Sequence, residues 1–316
     1  MVTGAIDTIE LKQNRKMWRF CSFYTKSDPI LNYMTNKLNV RTGDKILEPC
    51  AGNGDFINKL LDFNNQFNFS IDAVDLNDKS ILNLKDIFNN KTNIYIRKTD
   101  TLLDEVFDFY AGMGGAYDKV IGNPPYGAYQ NFERRKILKA KYTGYVRETY
   151  TLFLKRCITL LKENGKLVFI IPDTFLALHL HKNTREYLLK ETSIDEILLI
   201  PTKFFPDVDF RYSDLCIITL TKKKSDNNHN IKIVSVDNSV EILSELAIND
   251  YRNVTSVQTI KQKSISESKD YSFLLGSNSN LRNLINNHDL FLGDIANCVT
   301  GFYSGDNKKF VFVDNI

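Results

Sequence analysis

Four consecutive residues, Asn123-Pro124-Pro125-Tyr126, set rigid hydrogen-bond acceptors beside a flat ring. Proline fixes its own φ and pushes the residue before it out of the helical region. Asn123 and Pro124 are therefore both held extended, with carbonyls that no following helix satisfies. The Asn123 amide oxygen and the Pro124 carbonyl can both accept from one amino group, while Tyr126 offers a face to a planar ring. Such an arrangement suits an extruded nucleobase carrying an exocyclic amine. A bare Pro-Pro pair also makes stiff surface turns, so the chemical reading requires a cofactor site nearby.

A second stretch supplies that requirement. Lys45-Ile46-Leu47-Glu48-Pro49-Cys50-Ala51-Gly52-Asn53-Gly54-Asp55-Phe56 reads as strand, glycine loop and helix start, the order of a nucleotide-binding βα unit. Gly52 and Gly54 let the backbone approach a ligand closely. Ile57 stands where a dinucleotide fingerprint needs its third glycine, and no Walker lysine is present. Two further strands end in acids. Ile71-Asp72-Ala73-Val74-Asp75 puts a carboxylate where a ribose diol can donate to it, with Asp78 as a weaker candidate that can instead cap the next helix. Ile94-Tyr95-Ile96-Arg97-Lys98-Thr99-Asp100 ends in Asp100.

Alternating strands and helices must hold these loops in line. Leu31, Met34 and Leu38 share one helical face, with Ser27 or Asp28 as cap and Pro29 in the first turn. Gly112-Met113-Gly114-Gly115 reads as a flexible insertion before a fourth strand that ends at Gly122. Tyr150 to Leu161 is helical and stops at Lys162-Glu163-Asn164-Gly165. Lys166 to Pro172 is a fifth strand, 177–191 a helix, Glu196 to Ile200 a sixth strand, and Leu215 to Leu220 a seventh forming an antiparallel hairpin with the sixth. Residues 128–148 interleave Arg134, Arg135, Lys136, Lys139, Lys141 and Arg147 with Tyr129, Phe132, Tyr142 and Tyr145. That segment either grips phosphates and covers the site or forms a solvated helical face.

Composition limits the classes. The 316 residues are 43% hydrophobic and 25% charged, ordinary for a globular chain with a sizeable core. No apolar run is long enough to span a membrane, and the N-terminus lacks a signal-peptide core, so a cytoplasmic protein is expected. The five cysteines form no Cys-x-x-Cys pair and are not spaced with the four histidines as metal ligands. A net charge of +3 is too small to argue nucleic-acid binding by itself. Residues 1–22, with Arg15, Lys16, Trp18 and Arg19, read equally as a packed strap or a DNA-contacting arm.

Asn-Pro-Pro-Tyr at a strand end resembles motif IV of amino-methyltransferases, and Glu48 to Phe56 closely resembles motif I of S-adenosylmethionine-dependent methyltransferases. The order of the two motifs, with the helix at 29–38 in front, resembles the gamma group of DNA adenine methyltransferases of restriction-modification systems. The resemblance covers residues 23 to about 224. It implies an α/β fold, a seven-stranded Rossmann-like methyltransferase sheet with a C-terminal antiparallel hairpin. The expected organisation is an N-terminal arm (1–22), a methyltransferase domain (23–224) and a C-terminal extension (225–316). In that extension Leu292-Gly293-Asp294-Ile295 and Thr300-Gly301-Phe302-Tyr303-Ser304-Gly305 resemble the start of a target-recognition domain.

The resemblance also assigns roles. Asn123, Pro124, Pro125 and Tyr126 would form the catalytic turn, and Tyr126 and Phe205 would stack on the base, with Phe204 or Phe210 as alternatives to Phe205. S-adenosylmethionine would meet Thr25, Glu48, Pro49, Ala51, Gly52, Gly54, Asp75, Leu76, Asp100, Thr101 and Asn123, with no metal. Asp100 would take the adenine amino group of that cofactor. Double-stranded DNA is the expected partner, together with a separate restriction endonuclease or a recognition domain or subunit, and no membrane. The same motif occurs in RNA adenine and protein glutamine methyltransferases, and a non-catalytic DNA-binding subunit is the reading from another class.

Overall fold

The computed structural model describes residues 27–63, 68–127, 130–144, 148–204, 214–268, 270–273 and 295–297. Two compact units divide the chain, Met1–Phe273 and Leu274–Ile316. The elements below belong to the first; of the second, only residues 295–297 are described.

The first unit is built on a mixed sheet of nine strands in the order β3-β2-β1-β4-β5-β7-β6-β8-β9. Strands β1 (Lys45–Glu48), β2 (Ser70–Asp75), β3 (Ile94–Lys98), β4 (Tyr117–Gly122) and β5 (Leu161–Pro172) run parallel. β7 (Leu215–Thr221) lies antiparallel between β5 and β6 (Ser193–Ile200). Chain order reverses between β1 and β4, so the loops leaving their carboxyl ends open a crevice there. Almost every side chain of β4, of β7 and of β5 from Leu167 to Pro172 is buried, as expected where helices cover both sheet faces.

Helices α1 (Asp28–Leu38), α2 (Asp55–Phe63), α3 (Asp78–Ile87), α4 (Glu105–Gly112), α5 (Phe132–Lys141), α6 (Thr149–Leu160) and α7 (Lys182–Glu191) connect the strands. α1 buries Ile30, Leu31, Tyr33, Met34 and Leu38, the face set by its spacing, and closes on Asn39 in the left-handed region at φ 54°. Ser27 is its N-cap residue but makes no side-chain capping bond. α3 is capped by Asn77, whose side chain accepts from the Lys79 amide, rather than by Asp78.

The sheet exceeds the expected seven strands by two. β8 (Asn230–Ser235) adds parallel to β6, and β9 (Ser256–Lys261) adds antiparallel to β8. A buried polar knot ties this edge to the front of the chain. Glu196 on β6 accepts from the hydroxyl of Tyr33 on α1, from Lys37 at 3.1 Å and from the Tyr251 hydroxyl at 2.6 Å.

Three local expectations change. Gly112–Gly115 is a tight turn: Gly114 and Gly115 sit at φ 90° and 115°, the Gly115 amide donates to the Tyr110 carbonyl at 2.9 Å, and a Cβ on Gly115 would collide with the Leu161 carbonyl. β5 begins at Leu161 because that residue pairs with Tyr117, and the register then shifts past Asn164, which holds φ 63°. The stretch 177–191 starts as a 3-10 turn at His179–His181 before α7. Among the described residues no helix is long and apolar enough to cross a membrane.

Candidate active site

The loop after β1 is shaped by two glycines in the left-handed region, Gly52 at φ 54° and Gly54 at φ 81°. Gly54 also needs its missing side chain, since a Cβ there would sit 2.7 Å from the Phe88 ring at the end of α3. The Ala51 amide donates to the Val74 carbonyl at 2.8 Å, and the Gly54 amide to the Ala51 carbonyl at 2.8 Å. Glu48, the last residue of β1, is 1% exposed, and its Oε2 is buried without a hydrogen-bond partner. Burial, and then the charges of Asp55 and Asp75, hold the Glu48 carboxyl well above the usual carboxylate range. Leaving such an oxygen unmatched is costly, and a ligand amine or hydroxyl would satisfy it.

Asp75 ends β2 against the glycine loop. Its carboxylate accepts from the Gly52 amide at 2.8 Å on one oxygen and the Asn77 amide at 2.7 Å on the other, with the Leu76 amide as a third donor, so about one acceptor position stays open. Burial raises its pKa while these amides pull it down. Leu76 beside it is exposed. In the loop after β3, the Thr101 hydroxyl donates to the Pro49 carbonyl at 2.6 Å, pinning this loop to the one after β1. The Asp100 carboxylate next to it accepts from the Leu102 amide at 3.1 Å and from both terminal nitrogens of Arg134 on α5.

Asn123-Pro124-Pro125-Tyr126 leaves β4 next to the loop after β1. The Cys50 thiol donates to the Asn123 main-chain carbonyl at 3.3 Å. Pro124 is buried while Asn123 and Pro125 are half-buried. Tyr126 is 7% exposed and meets the edge of Tyr150 at 89°, with ring centroids 6.4 Å apart. Tyr150 is fixed in turn: its hydroxyl lies 3.1 Å from Thr174 Oγ1 and 3.2 Å from His181 Nε2. The Thr149 amide donates to the Tyr126 carbonyl at 3.0 Å, so the start of α6 brackets the turn.

The loops after β1, β2, β3 and β4 thus form one hydrogen-bonded rim that brings together Glu48, Pro49, Ala51, Gly52, Gly54, Asp75, Leu76, Asp100, Thr101 and Asn123. Phe204 lies half-buried in a 3-10 turn, Thr202–Phe204, after β6. Thr25, Phe205 and Phe210 lie outside the described residues. Three participants were not foreseen from sequence: Cys50 as the link between loops, Tyr150 behind Tyr126, and Arg134 on Asp100. Arg134 had a signal, its place in the basic segment beside the turn. The Tyr150–His181 contact spans residues distant in sequence and had none.

The Eco57I restriction-modification methylase family matches residues 20–205. A type II methyltransferase, M.AccI of Acinetobacter calcoaceticus, is 26% identical over 96% of this chain and 55% of its own length. The chain therefore spans about half of that relative. Among solved structures, a type I restriction-modification system methyltransferase subunit from Streptococcus thermophilus superposes with a TM-score of 0.62 at 17% identity, over 86% of this chain and 64% of that one. A protein from Listeria monocytogenes described as a class I S-adenosylmethionine-dependent methyltransferase gives a TM-score of 0.55 at 19% identity, over 78% of each chain.

Proposed function

Because the chain belongs to the Eco57I restriction-modification methylase family, we propose that it transfers a methyl group from S-adenosylmethionine to the N6 amino group of an adenine flipped out of duplex DNA. The observation that carries this reading is the contact between the two loops. The Asn123 turn and the glycine loop are joined through Cys50 at the point where strand order reverses.

Glu48, Pro49, Ala51, Gly52, Gly54, Asp75, Leu76, Asp100 and Thr101, with Asn123 and Thr25, would hold the cofactor. The unmatched Glu48 oxygen and the open acceptor position of Asp75 suit its amine and hydroxyl groups. Bound there, the cofactor supplies an electrophilic methyl carbon on a sulfonium.

The chain's own residues align and prepare the acceptor nitrogen. The Asn123 amide oxygen and the Pro124 carbonyl draw the hydrogens of the adenine amine, favouring its change from planar to tetrahedral and freeing its lone pair. With the sulfonium as methyl donor and thioether as leaving group, Asn123 and Pro124 would hold the surplus proton of the methylated amine until it passes to solvent. No separate base precedes attack. Tyr126 on one side and a phenylalanine after β6, Phe205 first, hold the base. Flipping costs roughly a few kcal/mol, and stacking returns about 1–3 kcal/mol per base.

We place the protein in a restriction-modification system, with a separate endonuclease or recognition domain or subunit as partner. The test is mass spectrometry of nucleosides from duplex DNA incubated with the chain and S-adenosylmethionine. N6-methyladenine supports the reading, and a methylated cytosine in its place removes it.

A further inference from the structure

Under the proposed cofactor reading, on which this inference rests, Asp100 receives the purine amine of the cofactor. In the structure its carboxylate is already engaged. Arg134 donates to Oδ2 through Nη1 and to Oδ1 through Nη2 at 3.2 Å, and the Leu102 amide donates to Oδ1 at 3.1 Å. A carboxylate offers roughly four acceptor sites, so about one remains. The two side chains are 22% and 19% exposed, with the planar guanidinium fork laid along the carboxylate.

Arg134 belongs to the first turn of α5, which follows the Asn123 turn directly and is moored on the same side at its far end. The Tyr142 hydroxyl donates to the Leu102 carbonyl at 2.8 Å. Lys141 lies 2.6 Å from Asp108 on α4, a carboxylate that Arg156 also reaches at 2.7 Å. The helix therefore stays docked over the loop after β3 if Arg134 swings away, and the ion pair can open without unseating it.

We propose that Arg134 is a gating residue of the cofactor's purine site, its guanidinium crowding the one acceptor site left on Asp100 so that an incoming purine amine must displace at least one arm of the fork. The neutral amine competes with a charged donor for one carboxylate, so the pair lowers cofactor affinity. Removing the fork raises affinity, and only while Asp100 keeps its charge.

The test is calorimetric titration of S-adenosylhomocysteine into the wild-type chain, Arg134→Met, Arg134→Lys, Asp100→Asn and the Asp100→Asn/Arg134→Met double variant, each checked for folding by thermal melting. The expected result is about three- to tenfold tighter binding by Arg134→Met, a smaller gain for Arg134→Lys, and no gain in the Asp100→Asn background. Should Arg134→Met fail to fold, Arg134→Lys carries the comparison. Equal or weaker binding by the Arg134 variants overturns the gate alone. Absence of binding by every protein, wild type included, overturns the cofactor reading and the gate with it.

Discussion

The Cys50 thiol and the Asn123 main-chain carbonyl meet at 3.3 Å, so the loop after β1 and the turn after β4 share a hydrogen bond across the reversal of strand order. Burial first, then the charges of Glu48 and Asp75, push the Cys50 thiol well above its usual range, so it stays a protonated donor at neutral pH. Cys50 is therefore expected to alkylate far more slowly than a free thiol at pH 7.5, measured by mass spectrometry with iodoacetamide. Cys50→Ala should cost about 0.5–1 kcal/mol of stability and slow methyl transfer several-fold; a full transfer rate would show that the link is not needed.

Asp75 accepts a backbone amide on each oxygen. Asp75→Asn would turn one acceptor into a donor facing an N–H group, at a cost of about 1–3 kcal/mol, read as a lower melting temperature. Cofactor affinity should fall at least about tenfold, the 1.4 kcal/mol step of an equilibrium. Because burial raises the Asp75 pKa, affinity in the wild type should also drop as pH is lowered through that raised value. An unaltered affinity in the variant would remove Asp75 from the cofactor site.

Two glycines with positive φ separate backbone strain from crowding. Gly43, at φ 90°, has open space where a Cβ would go, while at Gly54 that space holds the Phe88 and Leu84 side chains. Gly43→Ala should cost about 1 kcal/mol of stability. Gly54→Ala should cost about 2 kcal/mol or more and weaken cofactor binding as well. Equal melting temperatures for the two would contradict the packing account of Gly54.

Asp173, just past β5, sits beside Asp214, and burial, then that neighbour's charge, push its pKa up to about 6. The folded state holds this proton more tightly than the unfolded chain, so the stabilisation is complete below the ordinary aspartate value and is lost as pH rises through about 6. Asp173→Asn should therefore be more stable than wild type at pH 7.5 and lose that advantage near pH 4. Solvent screening at this half-buried site keeps the gain to about 1 kcal/mol. Parallel stability curves across that range would show that Asp173 does not carry the shift.

Sequence patterning reached the fold where signals were local. Gly52, Gly54 and the acids at 75 and 100 stand at strand ends because each strand is a short apolar run broken by a turn residue, and the alternation of elements implies the sheet. Residues 230–265 read as short β-like pieces, and β8 and β9 lie there, but their place in the sheet did not show: both carry mixed burial patterns and join through pairings that no local period announces. The Gly112–Gly115 stretch read as flexible because glycine composition does not reveal the Leu161 carbonyl pressing on Gly115. In the candidate site, Gly52, Gly54, Asp75, Asp100 and Asn123 stood out by type and spacing, while Leu76 and Thr101 entered only through the resemblance. The rim's cross-links, Thr101 to Pro49, Cys50 to Asn123 and Arg134 to Asp100, join residues far apart in sequence and emerge only on folding.

Labelled methyl from S-adenosylmethionine, offered to mixed-sequence duplex DNA, total RNA and a protein extract in parallel with Asn123→Ala as control, separates the possible substrates. The account predicts label on DNA adenine alone, and a loss of at least about a hundredfold in Asn123→Ala with cofactor binding largely intact. Label on RNA or protein, or undiminished transfer by Asn123→Ala, would contradict it.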